Sequence, residues 1–210
     1  MTNSKVIFSC LLFSFSSYLF SAKSLIELRP AREERVNLVL MGETTVGKTT
    51  LINRYTGSGK RNLPFRTIGI HVTKATTYLI DDKSKKLTRV PLLLWDTTGV
   101  ESYFNVTKAA ISFRQADGFI LMHNEDLNNL SLWYKKIRDE GYDHKPILIL
   151  KSIGSSKISP EIEAEEKKFQ EIFKSKFKNK KIIFATVNLE DQNTLDSPFN
   201  KITKLIKSGN

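Results

Sequence analysis

Two stretches of this 210-residue chain combine residue types that can hold a phosphate. The first is Gly42-Glu43-Thr44-Thr45-Val46-Gly47-Lys48-Thr49, which fits the pattern G-x-x-x-x-G-K-[ST]. The spacing follows from the chemistry. Glycines at 42 and 47 let the backbone wrap closely, so that N–H groups from Gly42, Thr45, Val46, Gly47 and Thr50 can point at phosphate oxygens. Lys48 can then reach the terminal phosphates, and the Thr49 hydroxyl can take a Mg²⁺ ion. The second stretch is Asp96-Thr97-Thr98-Gly99, an acid at the end of an apolar strand with a glycine three residues on. That arrangement suits a detector of a terminal phosphate. Val100 comes next and its side chain carries no polar atom, which bears on whether a sensed phosphate could also be removed.

These residues need elements to position them. Val36 to Met41 is a short β-branched and aliphatic run that predicts a buried strand leading into the loop, with a short helix from near Thr49 stopped by Gly57. Ile70 to Ile80 alternates as a strand, Asp81 to Ser84 is turn chemistry, and Leu87 to Asp96 returns, which makes a hairpin. Gly118 to His123, Pro146 to Lys151 and Lys181 to Val187 read as further buried strands. Ser159 and Pro160 mark a helix start, and Ile162, Phe169, Ile172, Phe173 and Phe177 are expected to share its apolar face. Strands alternating with helices predict an α/β fold: a mostly parallel six-stranded sheet, one antiparallel strand from the hairpin, and helices on both faces.

Composition is that of an ordinary globular domain, at 40% hydrophobic and 26% charged, and the only cysteine is Cys10, so no internal disulfide can form. The formal net charge is +11, and residues 54–90 carry nine basic against two acidic groups. An anionic membrane surface is a possible partner, alongside the plainer reading of a solvated lysine-rich surface. With no nucleic-acid recognition motif, no nucleic acid is expected. The three histidines, His71, His123 and His144, are scattered without ligand spacing. Residues 1–35 hold an apolar, serine-rich segment (6–22) and a charged linker. Three readings of that segment stay open: a signal peptide, a membrane anchor, or a non-native start.

Over residues 36–208 the chain resembles the Ras-superfamily small GTPases, most closely the Rab branch, as a divergent member. The resemblance rests on the phosphate loop, on Pro64-Phe65-Arg66-Thr67-Ile68-Gly69, and on the hairpin running into Trp95-Asp96-Thr97-Thr98-Gly99. It implies a P-loop G domain that binds GTP or GDP with Mg²⁺. Thr67 would bind Mg²⁺ and meet the γ-phosphate, Asp96 would steady the ion from outside its direct ligands, and the Gly99 N–H would contact the γ-phosphate. Loops 61–69 and 97–106 would be the switches that effector and regulator proteins read.

Several positions depart from the family. Val100 stands where the family has a glutamine that orients the attacking water, so very slow hydrolysis is expected. The guanine-reading Asn-Lys-x-Asp is matched in register to Leu150-Lys151-Ser152-Ile153, which leaves Lys151 as a base contact and no acceptor for guanine. Ala185 to Asn188 only partly matches the family's second base-contact loop, and Lys201 to Asn210 holds no cysteine for prenylation. Two functions stand against each other. One is a Rab-like switch in vesicle traffic or signalling, in the cytoplasm or on the cytoplasmic face of endomembranes. The other is a pseudo-GTPase interaction module that binds nucleotide weakly or without base preference. If residues 6–22 act as a signal or anchor, the location becomes secretory or membrane-bound.

Overall fold

The protein was analysed as a computed structural model, in which residues 35–58, 69–81, 84–100, 102, 104–105, 113–124, 127–153, 160–177 and 181–209 are described. Thr67, most of loop 61–69 and the apolar segment 6–22 lie outside them. Six strands are present: β1 (Val36–Met41), β2 (Ile70–Ile80), β3 (Leu87–Thr97), β4 (Gly118–His123), β5 (Ile147–Ile153) and β6 (Ile182–Asn188). Among the described residues, four α-helices accompany them: α1 (Lys48–Tyr55), α2 (Leu127–Asp139), α3 (Pro160–Lys176) and α4 (Asp196–Ser208). The strands form one sheet in the order β2-β3-β1-β4-β5-β6. Every pairing is parallel except the β2–β3 hairpin, as the sequence leads one to expect.

The hairpin turn is held by Asp81, whose Oδ1 accepts from Ser84 N (2.6 Å) and Ser84 Oγ (2.8 Å). Such a short acid side chain can imitate a backbone turn partner, which is why Asp begins the turn.

Strand alternation divides the core into two layers. Leu38, Leu40, Leu92, Leu94, Ile120, Leu148 and Leu150 face α1 and α4, where they meet Leu51, Ile52, Phe199, Ile202 and Ile206. Val39, Phe119, Leu121, Ile147 and Ile149 face α2 and α3, where they meet Leu130, Trp133, Tyr134, Ile137 and Phe173. Burial of each of the largest side chains, such as Phe119, Phe173 and Phe199, contributes about 1.5–3 kcal/mol relative to leaving it in water. One expected core position differs. Phe173 is buried and Phe169 and Phe177 are half-buried, but Ile172 is 46% exposed. The spacing 169, 173, 177 makes a single ridge along α3, and position 172 lies about 100° around the helix from it. The side chain of Ile162 lies outside the described residues.

Parallel pairing brings strand ends to a common level. Leu40 lies opposite Asp96, Met41 opposite Leu121, His123 opposite Lys151, and Ile153 opposite Asn188. Ligands of open α/β sheets bind beyond this carboxyl edge.

Candidate nucleotide site

The loop between β1 and α1 turns on two backbone features. Gly47 sits at φ 94°, and Thr45 at φ 72°. The first suits glycine; the second costs a residue with a Cβ about 1–2 kcal/mol and is characteristic of a functional loop. Gly47 opens α1, and no side chain caps the helix there. Its first N–H groups and the positive end of its dipole are therefore available to an anion.

Lys48 is 6% exposed, and its ammonium bridges the loop, donating to Gly42 O at 2.9 Å and Glu43 O at 2.6 Å. Burial pulls its pKa down to about 8, against the upward pull of the Asp96 and Glu43 carboxylates. A bound polyphosphate would add negative charge there and restore the cation. Thr49 Oγ1 donates to Asp96 Oδ2 at 2.5 Å, and Asp96 is 1% exposed. A hydroxyl and a carboxylate side by side, oxygen ligands only, fit a Mg²⁺ ion, which takes few protein ligands and keeps the rest of its shell for water and phosphate.

The end of β3 is pinned against this loop. Thr97 Oγ1 donates to Leu40 O at 2.7 Å, and Thr98 N donates to Gly69 O at 3.1 Å. Gly99 then passes so close to the loop that a Cβ on it would stand 2.2 Å from Thr44 N and 2.3 Å from Glu43 C. No side chain fits there. Val100 is half-buried, and its N–H donates to Thr98 Oγ1 at 3.4 Å. Farther along, Phe104 is buried edge-on against Phe113 (5.7 Å) and Trp133 (6.2 Å), with the Lys136 ammonium 4.7 Å from its ring centre.

On the other flank the strand ends behave differently. Lys151 shares the α3-facing side of β5 with Ile147 and Ile149, is 6% exposed, and has its ammonium 3.9 Å from Glu166 Oε2 on α3. Beside it on β4, His123 stacks on Phe169 at 4.8 Å, and among the described residues neither ring nitrogen has a hydrogen-bond partner. Burial, and then the Lys151 charge, push the His123 pKa down to about 4. Burial raises that of Glu166, opposed by Lys151 and Gln170. Ser152 points the other way, and its Oγ donates to Val46 O in the phosphate loop at 2.8 Å.

The structure thus brings Gly42, Thr45, Val46, Gly47, Lys48, Thr49, Asp96 and Gly99 to one place. Thr50 lies exposed on the first turn of α1. Lys151, expected to lie along a base, is enclosed with Glu166 instead, and Ile153, matched to the base-reading acid, is an 8% exposed strand residue. The physical reason is that β5 continues through Ile153, so residues 150–153 are strand and alternate between faces. Ser152 and Leu189 were missed as neighbours of the loop. For Ser152 a signal was present, because it has the same parity as Leu148 and Leu150; Leu189 carried none.

Comparison with known proteins agrees with this geometry. The family model described as "Ras of Complex, Roc, domain of DAPkinase" matches residues 37–154. The chain is 28% identical over 174 residues to Ras-related protein Rab-11B of Dictyostelium discoideum, covering 80% of this chain and 72% of the relative. It is 32% identical over 123 residues to Rab-27B of Rattus norvegicus (55% of this chain, 56% of the relative). To Rab-3A of Homo sapiens it is 31% identical over 117 residues (54% and 50%), so it spans about half the length of these two relatives. A phosphate loop, an acid-to-glycine strand end and a six-stranded sheet in one chain, matched by these relatives, carry the conclusion that the protein belongs to the Ras-type GTPase family.

Proposed function

We propose that this chain is a Rab-like GTP-binding switch that dwells in its triphosphate form and acts in vesicle traffic or signalling, with residues 36–208 as the switching domain. The observation that carries the reading is the convergence of Lys48, Thr49, Asp96 and Gly99 on one loop. Those residues serve binding of phosphate and Mg²⁺, and Thr67 would complete the set. Residues 61–69 and 97–106 would present the nucleotide state to effector and regulator proteins. Slow hydrolysis follows from Val100, whose side chain cannot orient a water. The reading places the protein in the cytoplasm or on the cytoplasmic face of endomembranes, where an anionic membrane surface would engage the basic stretch 54–90. Among the described residues no helix is long and apolar enough to cross a membrane.

The test is to purify the full chain with Mg²⁺, release its nucleotide by denaturation and identify it by mass spectrometry, then measure single-turnover GTP hydrolysis. Stoichiometric nucleotide with turnover well below that of an ordinary small GTPase supports the switch. Val100→Gln should then raise the rate tenfold or more, since positioning of this kind contributes on the order of 10²–10⁴-fold. An ordinary rate in the unmodified chain overturns the slow-hydrolysis reading. A folded protein that binds no nucleotide leaves the interaction module in its place.

A further inference from the structure

We infer that this site selects its ligand by the polyphosphate and barely by the base, so that adenine and guanine nucleoside triphosphates bind comparably. The inference rests on the phosphate grip proposed above. Thr49, Asp96 and Gly99 border the loop on its β3 side, so the ion and the terminal phosphate belong to that flank. The nucleoside, at the other end of the polyphosphate, leaves toward the ends of β5 and β6. Those ends do border the loop. Ser152 bonds to Val46 O, and the Leu189 side chain lies 2.5 Å from where a Cβ on Gly47 would be.

Guanine differs from adenine in presenting N1–H and a 2-amino group, two donors that a carboxylate can accept together. A site built to hydrogen-bond its ligand in this way discriminates by roughly 10⁴–10⁵-fold. Among the described residues of the β5–β6 flank, several polar groups are engaged elsewhere. The Ser152 hydroxyl donates to the loop, and Lys151 faces Glu166 across the α3 side. Asn188 Oδ1 accepts from Glu190 N at 2.8 Å, and Asp191 Oδ1 accepts from Asn193 N at 3.0 Å. Ile153 is a core residue. From Leu150 to Ser159 the sequence contains no Asp or Glu at all. Among the described residues this flank also carries Leu189, an aliphatic surface against which any base can lie with similar gain, because every base has an apolar face.

The experiment is a competition measurement on the full chain in saturating Mg²⁺, with ATP, GTP and inorganic tripolyphosphate as probes. The expected result is dissociation constants for ATP and GTP within about thirtyfold of each other, far short of a hydrogen-bonding base site. Tripolyphosphate should compete for the same site. A larger preference for either base overturns the inference while leaving the switch intact. If neither nucleotide nor tripolyphosphate binds, the phosphate grip itself fails and both readings fall together.

Discussion

On the β3 flank of the phosphate loop, polar groups meet one another at short range: Thr49 with Asp96, Lys48 with two loop carbonyls, Thr97 with Leu40. On the β5 flank Lys151 turns toward Glu166 and His123 lies on Phe169, while the Ser152 hydroxyl reaches the loop. Both flanks end strands of the same sheet at the same level. The difference teaches that strands of one sheet ending at one level can present interacting polar groups on one flank and packed core on the other. Phosphate and Mg²⁺ chemistry demands particular oxygens and a cation at fixed positions, so few substitutions are tolerated there.

This contrast can be broken most forcefully at Lys48. Lys48→Met should weaken nucleotide binding by about tenfold to a hundredfold, because a hydrogen bond to a charged group contributes about 1.5–3 kcal/mol. Equilibrium binding shows the loss, and a thermal melt checks that the fold persists. The same lysine sets a pH dependence. With its pKa at about 8 in the free protein, the cation that binds phosphate is lost as pH rises through 8. Affinity should therefore fall above that pH, by up to about tenfold per unit, and Lys48→Met should abolish the slope.

Gly99→Ala comes next, since its Cβ would collide with backbone at Thr44 and Glu43, which cannot swing aside as a side chain would. We expect a cost of about 2–3 kcal/mol, divided between stability and affinity, measurable by denaturant unfolding with and without nucleotide. Stability of Gly99→Ala equal to that of the unmodified chain would show that the β3 flank is looser than the contact implies.

The β5 flank should answer to pH through His123. Its folded pKa of about 4 lies below the ordinary 6.5. Stability is intact above pH 6.5 and is lost as pH falls toward 4, because the unfolded chain takes up the proton first; the full loss is about 3 kcal/mol at most. Glu166, raised by burial, works in the opposite sense. The comparison that isolates the histidine is therefore His123→Phe, which keeps the ring against Phe169. Its unfolding free energy should vary less between pH 6.5 and 4 than that of the unmodified chain. The smallest effect is expected from Ser152→Ala. Loss of one neutral hydrogen bond to Val46 O should weaken ATP and GTP alike by about fivefold, or ~1 kcal/mol. A selective loss for one base would give the β5 flank a reading role.

Much of this was legible from residue order, and the exceptions share one cause. The G-x-x-x-x-G-K-T loop is contiguous, so its glycine conformations, its lysine and its threonine are all encoded within eight residues. Asp96 was readable because it ends an apolar run, and the hairpin because Asp81 begins a turn between two strand patterns. The role of Lys151 was misplaced because a motif was laid across a strand whose end was not known. One more strand residue reverses which face each side chain takes. Ile172 was misassigned because several apolar positions on α3 were compatible with one face, and packing against Tyr134 and Phe184 selected the ridge through Phe173.

By itself, then, the sequence determined the local devices: the phosphate loop, the strand that ends in Asp96, and the valine at position 100. Only the tertiary structure decided which residues meet across the chain. It set Gly99 against Thr44, Ser152 against Val46 and Leu189 against Gly47, pairs separated by 55 to 142 positions. The reason is physical. Phosphate binding uses consecutive backbone N–H groups, so it is written in consecutive residues, whereas the flanks of the site are made where separate strands end, and strand register, not residue order, brings those ends together.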